Sequence, residues 1–157
     1  MCIEQLIEIL KSLLTPIIAF TALYIAWQQW KTNEQKLKLE MYDRKFHVYD
    51  ETKNILFKVI QDLNPTIDDI QKFQRNVSEA DFLFKSEIPQ YIDEICKHCL
   101  NLWKWKLQYK DYTQKKPKEY DHEKVCKEIK KEEDWFVKQI ESNLFRKKFH
   151  KYLDISK

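Results

Sequence analysis

Residues 12–30 read SLLTPIIAFTALYIAWQQW, with Lys11 before them and Lys31 after. The stretch carries no charge and has about the length, roughly 20 residues, that takes a helix across a hydrocarbon core. Trp27 and Trp30 stand at its C-terminal end with Gln28 and Gln29 between them, as amphipathic rings do where lipid meets headgroups. Pro16 is expected in the first turn or so of such a helix, where its missing N–H is tolerated. A buried core helix is the rival reading, but core helices keep a polar stripe and this segment has none. No small-residue cleavage site follows, so a signal peptide does not fit.

The flanks give the segment a direction. Lys31, Lys36, Lys38, Arg44 and Lys45 crowd its C-terminal side, against Lys11 accompanied by Glu4 and Glu8 on the other. By the positive-inside rule the bulk of the chain belongs in the cytoplasm and the N-terminus outside an inner membrane crossed once. Residues 1–11 would lie external or along the interface. The membrane-interface set is therefore Lys11, Trp27, Trp30, Lys31, Lys36, Lys38, Arg44 and Lys45, with the lipid bilayer as partner.

There is no glycine in 157 residues, so phosphate-cradling loops and other glycine-based nucleotide motifs are excluded. With abundant Lys, Glu, Leu and Ile this composition points to helices joined by Asn, Asp, Ser and Pro turns. Apolar residues at 43% and aromatics at 14% can stabilise one core despite 34% charge. The 28 basic and 25 acidic residues are interleaved, which reads as a solvated helical surface and predicts no specific nucleic-acid partner. The four cysteines read as reduced thiols.

The predicted fold is all-α: an N-terminal transmembrane helix, residues 12–30, continuing into an antiparallel cytoplasmic helical bundle, residues 31–157. After Lys31 nothing breaks the helical pattern until Pro65, and Tyr42, Phe46, Tyr49, Leu56, Val59 and Leu63 recur in steps of three or four or their multiples, a stalk helix over about 31–63. A short helix is expected over about 66–77, capped by Thr66, with Ile67, Ile70, Phe73 and Val77 inward. Ser78 with Asp81 suggests a further capped start, and residues 80–84 should plug the core. A helix over about 89–109 carries Tyr91, Ile92, Ile95, Cys99, Leu102, Trp103 and Leu107 on its apolar face. KDYTQKKPKEYD is a loop, and one last helix over about 120–153 turns Val125, Ile129, Phe136, Ile140, Leu144 and Phe149 inward.

Few residues suggest chemistry. Cys96 and Cys99 form a C-x-x-C pair, and His122 with Cys126 could meet them around zinc. Both cysteines of the pair also lie on the apolar stripe, where a thiol behaves as a small hydrophobe, so the prediction is no metal and no cofactor. Arg146 and His150 invite comparison with helical ribonucleases that use an Arg and a His on one helix, but only three residues intervene. Arg44 and His47 are closer still, and both pairs read as surface residues. WKWKLQYKDY, residues 103–112, interleaves rings and lysines as single-strand binders do, yet on a helix Trp103 and Leu107 face inward.

The run YIAWQQWKTNEQKLKLEMYDRKFHVYDETK, residues 24–53, resembles a widespread set of small bacterial membrane proteins. Their pattern is a membrane helix ending in YIAxQQW, then KTNxxKLKL and DRKFxVY. ADFLFKSEIPQYIDEI and DWFVKQIESNLFRKKFHKYL look like the same set, so the resemblance covers nearly the whole chain. It implies one anchor and a helical domain, and it carries over no catalytic residue. The functional expectation is a non-enzymatic membrane effector or sensor, of a phage-defence or mobile-element kind, that self-associates. The alternative is a scaffold or adaptor holding a cytoplasmic protein partner at the membrane. An enzyme, such as a helical nuclease or a metal-dependent hydrolase, is the third class.

Overall fold

The computed structural model describes residues 3–111, 113–114 and 119–154, with the side chains of all of these except residues 3–7, 9, 10 and 15. All described elements are helices: α1 (Ile3–Asp62), α2 (Ile67–Asn76), α3 (Ala80–Leu83), α4 (Glu87–Gln108), α5 (His122–Glu141) and α6 (Leu144–Leu153). The chain divides into two compact units, Met1–Met41 and Tyr42–Lys157.

The first unit is the N-terminal part of α1. Pro16 lies well inside that helix, not in its first turn as expected, because the helix begins at Ile3. Without an N–H, Pro16 cannot bond the carbonyl four residues back. Every side chain described from Lys11 to Met41 is exposed.

The second unit is a helical bundle with α4 at its centre, packed on α2, α3, α5 and α6. Helices α4 and α5 run antiparallel: Tyr91 meets Gln139, and His98, seven residues later, meets Glu132, seven residues earlier. The part of α1 in this unit likewise opposes α2, through Glu51 with Asn76 and Lys58 with Asp69. Val48, Ile55, Leu56 and Val59 from α1 join Ile88, Tyr91, Ile95 and Leu102 from α4 and Phe136 from α5 in the core. Burying a side chain of this kind contributes roughly 1.5–3 kcal/mol, the main term offsetting chain entropy.

Local sequence explains most of the junctions. Asp69 N–H donates to Thr66 Oγ1 while Thr66 N–H donates to Asp69 Oδ2, both at 3.2 Å, a reciprocal cap that starts α2 where expected. Lys58 Nζ, 2.6 Å from Asp69 Oδ1, ties that cap to α1. With no glycine to end α1, Leu63 takes a left-handed conformation at φ 49° and sends its N–H to the Val59 carbonyl at 2.8 Å.

Four expectations are corrected. The capped start at Ser78 and Asp81 does not form: Glu79 is the N-cap, with no side-chain capping bond, since backbone carbonyls already take the N–H groups of Ala80, Phe82 and Leu83. Ala80, Leu83 and Phe84 do turn inward, but Phe82 is 90% exposed, because a four-residue helix has only one inner face. Leu107, in the last turn of α4, is 61% exposed, and Phe46, Leu63 and Ile67, on the expected apolar faces, are exposed as well.

The fourth correction concerns the last helix, which is two. Asn143 adopts φ 51°, ψ 29° between α5 and α6, and Ser142 Oγ bonds back to the Lys138 carbonyl. Asparagine is among the few residues other than glycine that visit this region readily. The break lets α6 place Phe145 and Phe149 against Tyr49, at ring separations of 5.8 and 5.5 Å. Phe149 also meets Phe84 edge-on at 5.6 Å, and Tyr152 meets Phe84 at 5.2 Å.

Candidate functional site

The apolar stretch of the first unit is built from one helix and nothing else. Leu13, Leu14, Ile17, Ile18, Phe20 and Leu23 are all exposed large hydrophobes, followed by Trp27 and Trp30. An isolated helix of this character in water would present far more contiguous apolar surface than a monomeric protein ordinarily leaves bare. Some of its polar side chains, and that of Thr32 just beyond it, bond within the helix. Thr21 Oγ1 donates to the carbonyls of Ile17 and Ile18, at 3.1 and 2.8 Å. Gln28 Nε2 donates to the Tyr24 hydroxyl at 2.9 Å, and Thr32 Oγ1 to the Gln28 carbonyl at 2.9 Å. Lys31 Nζ lies 5.7 Å from the centre of the Trp27 ring, a cation over a π face.

Among the described residues, no helix is long and apolar enough to cross a membrane. Ser12, Pro16, Gln28 and Gln29 dilute the stretch. Towards the N-terminus the sequence returns to charge at Lys11 and Glu8, between which Leu10 and Ile9 stand.

The interface residues separate into two groups. Lys11, Trp27, Trp30, Lys31, Lys36 and Lys38 belong to the first unit and are exposed, Lys38 pairing with Glu34 at 2.9 Å. Arg44 and Lys45 belong to the second unit, where Arg44 pairs with Glu79 at 3.6 Å and Lys45 is half-buried.

The cysteines do not gather with His122. Cys96 and Cys99 are buried in α4, and burial, with Asp93 near the first, pushes the Cys96 thiol up to about 11 and that of Cys99 higher still. Thiols held protonated in apolar surroundings are inert as nucleophiles and poor as ligands. His122 Nε2 and Cys126 Sγ are 3.5 Å apart within α5, with the Tyr120 hydroxyl 3.4 Å from His122 Nδ1. Among the described residues no group of three or more His, Cys, Asp or Glu is placed to hold a metal ion.

Arg146 and His150 share the exposed face of α6, and His47 is exposed on α1. The rings of Trp103 and Trp105 pack half-buried against the core, and Lys106 is drawn to Glu133 at 2.8 Å, so these groups are engaged by the protein itself.

One cluster was not anticipated from the sequence. Glu132 is only 4% exposed in the α4–α5 interface, with Oε2 2.5 Å from His98 Nδ1 and Oε1 3.3 Å from Asn101 Nδ2. The His98 ring also stacks on Trp135, with centres 3.9 Å apart and planes at 18°. Next to it, the buried Tyr91 hydroxyl donates to Gln139 Oε1 at 3.1 Å. A polar side chain on an otherwise apolar helix face was the available signal: Glu132 falls three residues after Ile129 and four before Phe136. The cluster ties α4 to α5. Clefts lie between α1 and α2 and beside α3 and α4.

Comparison with protein-family models, with curated proteins and with solved structures finds no match.

Proposed function

We propose that this chain is a non-enzymatic, membrane-anchored helical protein, with residues 12–30 held in lipid and the helical unit Tyr42–Lys157 acting as an effector or sensor module beside the membrane. The observation that carries the reading is the first unit itself. Its apolar stretch is uncharged, every described side chain in it is exposed, and Thr21 and Gln28 each make a hydrogen bond within the helix. In hydrocarbon a polar group without a partner is costly, so internal bonding of this kind suits a lipid environment. Lys31, Lys36 and Lys38 place the C-terminal side of the stretch towards anionic headgroups and the cytoplasm, each basic group contributing on the order of 1 kcal/mol.

The test is alkaline carbonate extraction of membranes from cells expressing the full chain, paired with the variant Ile18→Glu/Leu23→Glu. The unaltered chain stays with the membrane. The variant is released, because each charge costs roughly 3 kcal/mol near the bilayer centre. Recovery of the unaltered chain in the soluble fraction without detergent overturns the reading. A reporter fused after Lys157 should behave as cytoplasmic; protection from cytoplasmic protease would reverse the orientation.

A further inference from the structure

The uncharged stretch explains why lipid would cover residues 12–30, but not what covers the helix beyond it. Phe20, Leu23, Trp27, Trp30, Leu37 and Met41 fall at alternating steps of three and four, with Glu34 completing the series. All of them are exposed. That is a heptad pattern with a at 20, 27, 34 and 41 and d at 23, 30 and 37. Its last part leaves the uncharged stretch: around Leu37 and Met41 stand Lys36, Lys38 and Glu40, so lipid is not the natural cover there. Leu39 is two residues from Leu37, about 200° around the helix, and is a single exposed hydrophobe of the ordinary kind.

We propose that this face pairs with the same face of a second copy of the chain, as a parallel two-stranded coiled coil over residues 20–41. A seam of 3.5-residue period is matched along its length only by a helix of the same period, and an identical chain inserted in the same orientation supplies one. Polar and charged residues flank the seam where it leaves the uncharged stretch. The e positions hold Tyr24, Lys31 and Lys38, and in a parallel pair Asn33, at g on one copy, comes beside Lys38, at e of the next heptad on the other. Six large side chains from each copy bury on the order of 1,000 Å² in total, the size at which specific interfaces begin. Glu34 is the polar residue at an a position. It keeps Lys38 at 2.9 Å, and two copies set in register place both Glu34 side chains at the seam, which fixes register at a cost in stability.

The inference goes beyond membrane anchoring, since Leu37 and Met41 lie outside the uncharged stretch. The experiment is sedimentation equilibrium of the full chain in a non-ionic detergent over a range of protein-to-detergent ratios. The unaltered chain sediments as a dimer. Leu37→Lys weakens dimerisation about a hundredfold by placing two charges in the seam, and Glu34→Leu tightens it about tenfold. Leu39→Lys, on the other side of the helix, leaves it unchanged, and all three variants keep the thermal unfolding of the second unit. A chain that stays monomeric at every ratio, or equal effects of Leu37→Lys and Leu39→Lys, overturns the proposal. Carbonate extraction of the same variants separates the two readings: a monomer that stays in the membrane refutes only the dimer, and a soluble dimer refutes only the anchor.

Discussion

Removing His98 tests the energetics of the α4–α5 interface most directly. Its Nδ1 is the closest partner of a carboxylate that is 4% exposed, and Asn101 at 3.3 Å is the other partner. His98→Ala leaves that charge with one long amide contact. Stripping one member from a fully buried charge pair costs about 3–5 kcal/mol. The His98 side chain is 25% exposed, so water reaches the gap and brings the cost to about 2–3 kcal/mol, including the lost stacking on Trp135. Glu132→Gln keeps volume and an acceptor and should cost about 1 kcal/mol. The double replacement His98→Phe/Glu132→Leu removes both polar groups, keeps a ring on Trp135 and should fall within about 1 kcal/mol of the unaltered protein. Urea unfolding followed by circular dichroism and tryptophan fluorescence measures each, and the further double variant His98→Ala/Glu132→Gln closes a cycle with the two single variants that gives the coupling. A coupling of about 1.5 kcal/mol is expected. Single-variant costs that add within about 0.5 kcal/mol would refute the account, because the two side chains would then not be acting on each other.

Two further predictions concern the turn between α1 and α2. Leu63→Gly should raise stability by about 1 kcal/mol in thermal unfolding, since Leu63 sits at φ 49°, is 38% exposed and gives up little burial; a loss would mean that its packing outweighs the strain. Asp69 is held below its ordinary value of 3.8 mainly by the hydrogen bond from Lys58, with the Thr66 cap adding to it. A carboxyl depressed in the folded state contributes stability above its unfolded value and loses it as pH falls through the lower folded one. Stability should therefore drop on acidification below about pH 4, and Asp69→Asn should flatten that part of the curve; the same acid slope in both proteins would refute the assignment.

What was legible in the sequence is what short-range rules control. Helical period, the absence of glycine and the Thr66 cap each depend on residues within a turn or two, so the all-α class, most of the inward positions and the start of α2 follow from them, while Phe46, Ile67, Phe82 and Leu107 do not turn inward. The exposed apolar stretch at 12–30 is equally local, because a helix with no charge and no polar stripe has nothing to orient it against a core of its own. The end of α1 just before Pro65 was legible as well; the tertiary structure decided the backbone of Leu63 and the break at Asn143. Nothing near Leu63 announces a left-handed residue, and the periodic apolar positions from Phe136 through Ile140 to Leu144 would carry one helix straight past Asn143. That helix breaks because turning Phe145 and Phe149 onto Tyr49 and Phe84 buries more ring surface than an unbroken helix could reach. The His98–Glu132 pair joins residues 34 positions apart, and only the packing of α4 on α5 brings them within bonding distance. Periodicity specifies which face of a helix turns inward; which partner meets that face is settled by long-range packing, where many small contacts outweigh the local cost of a strained turn.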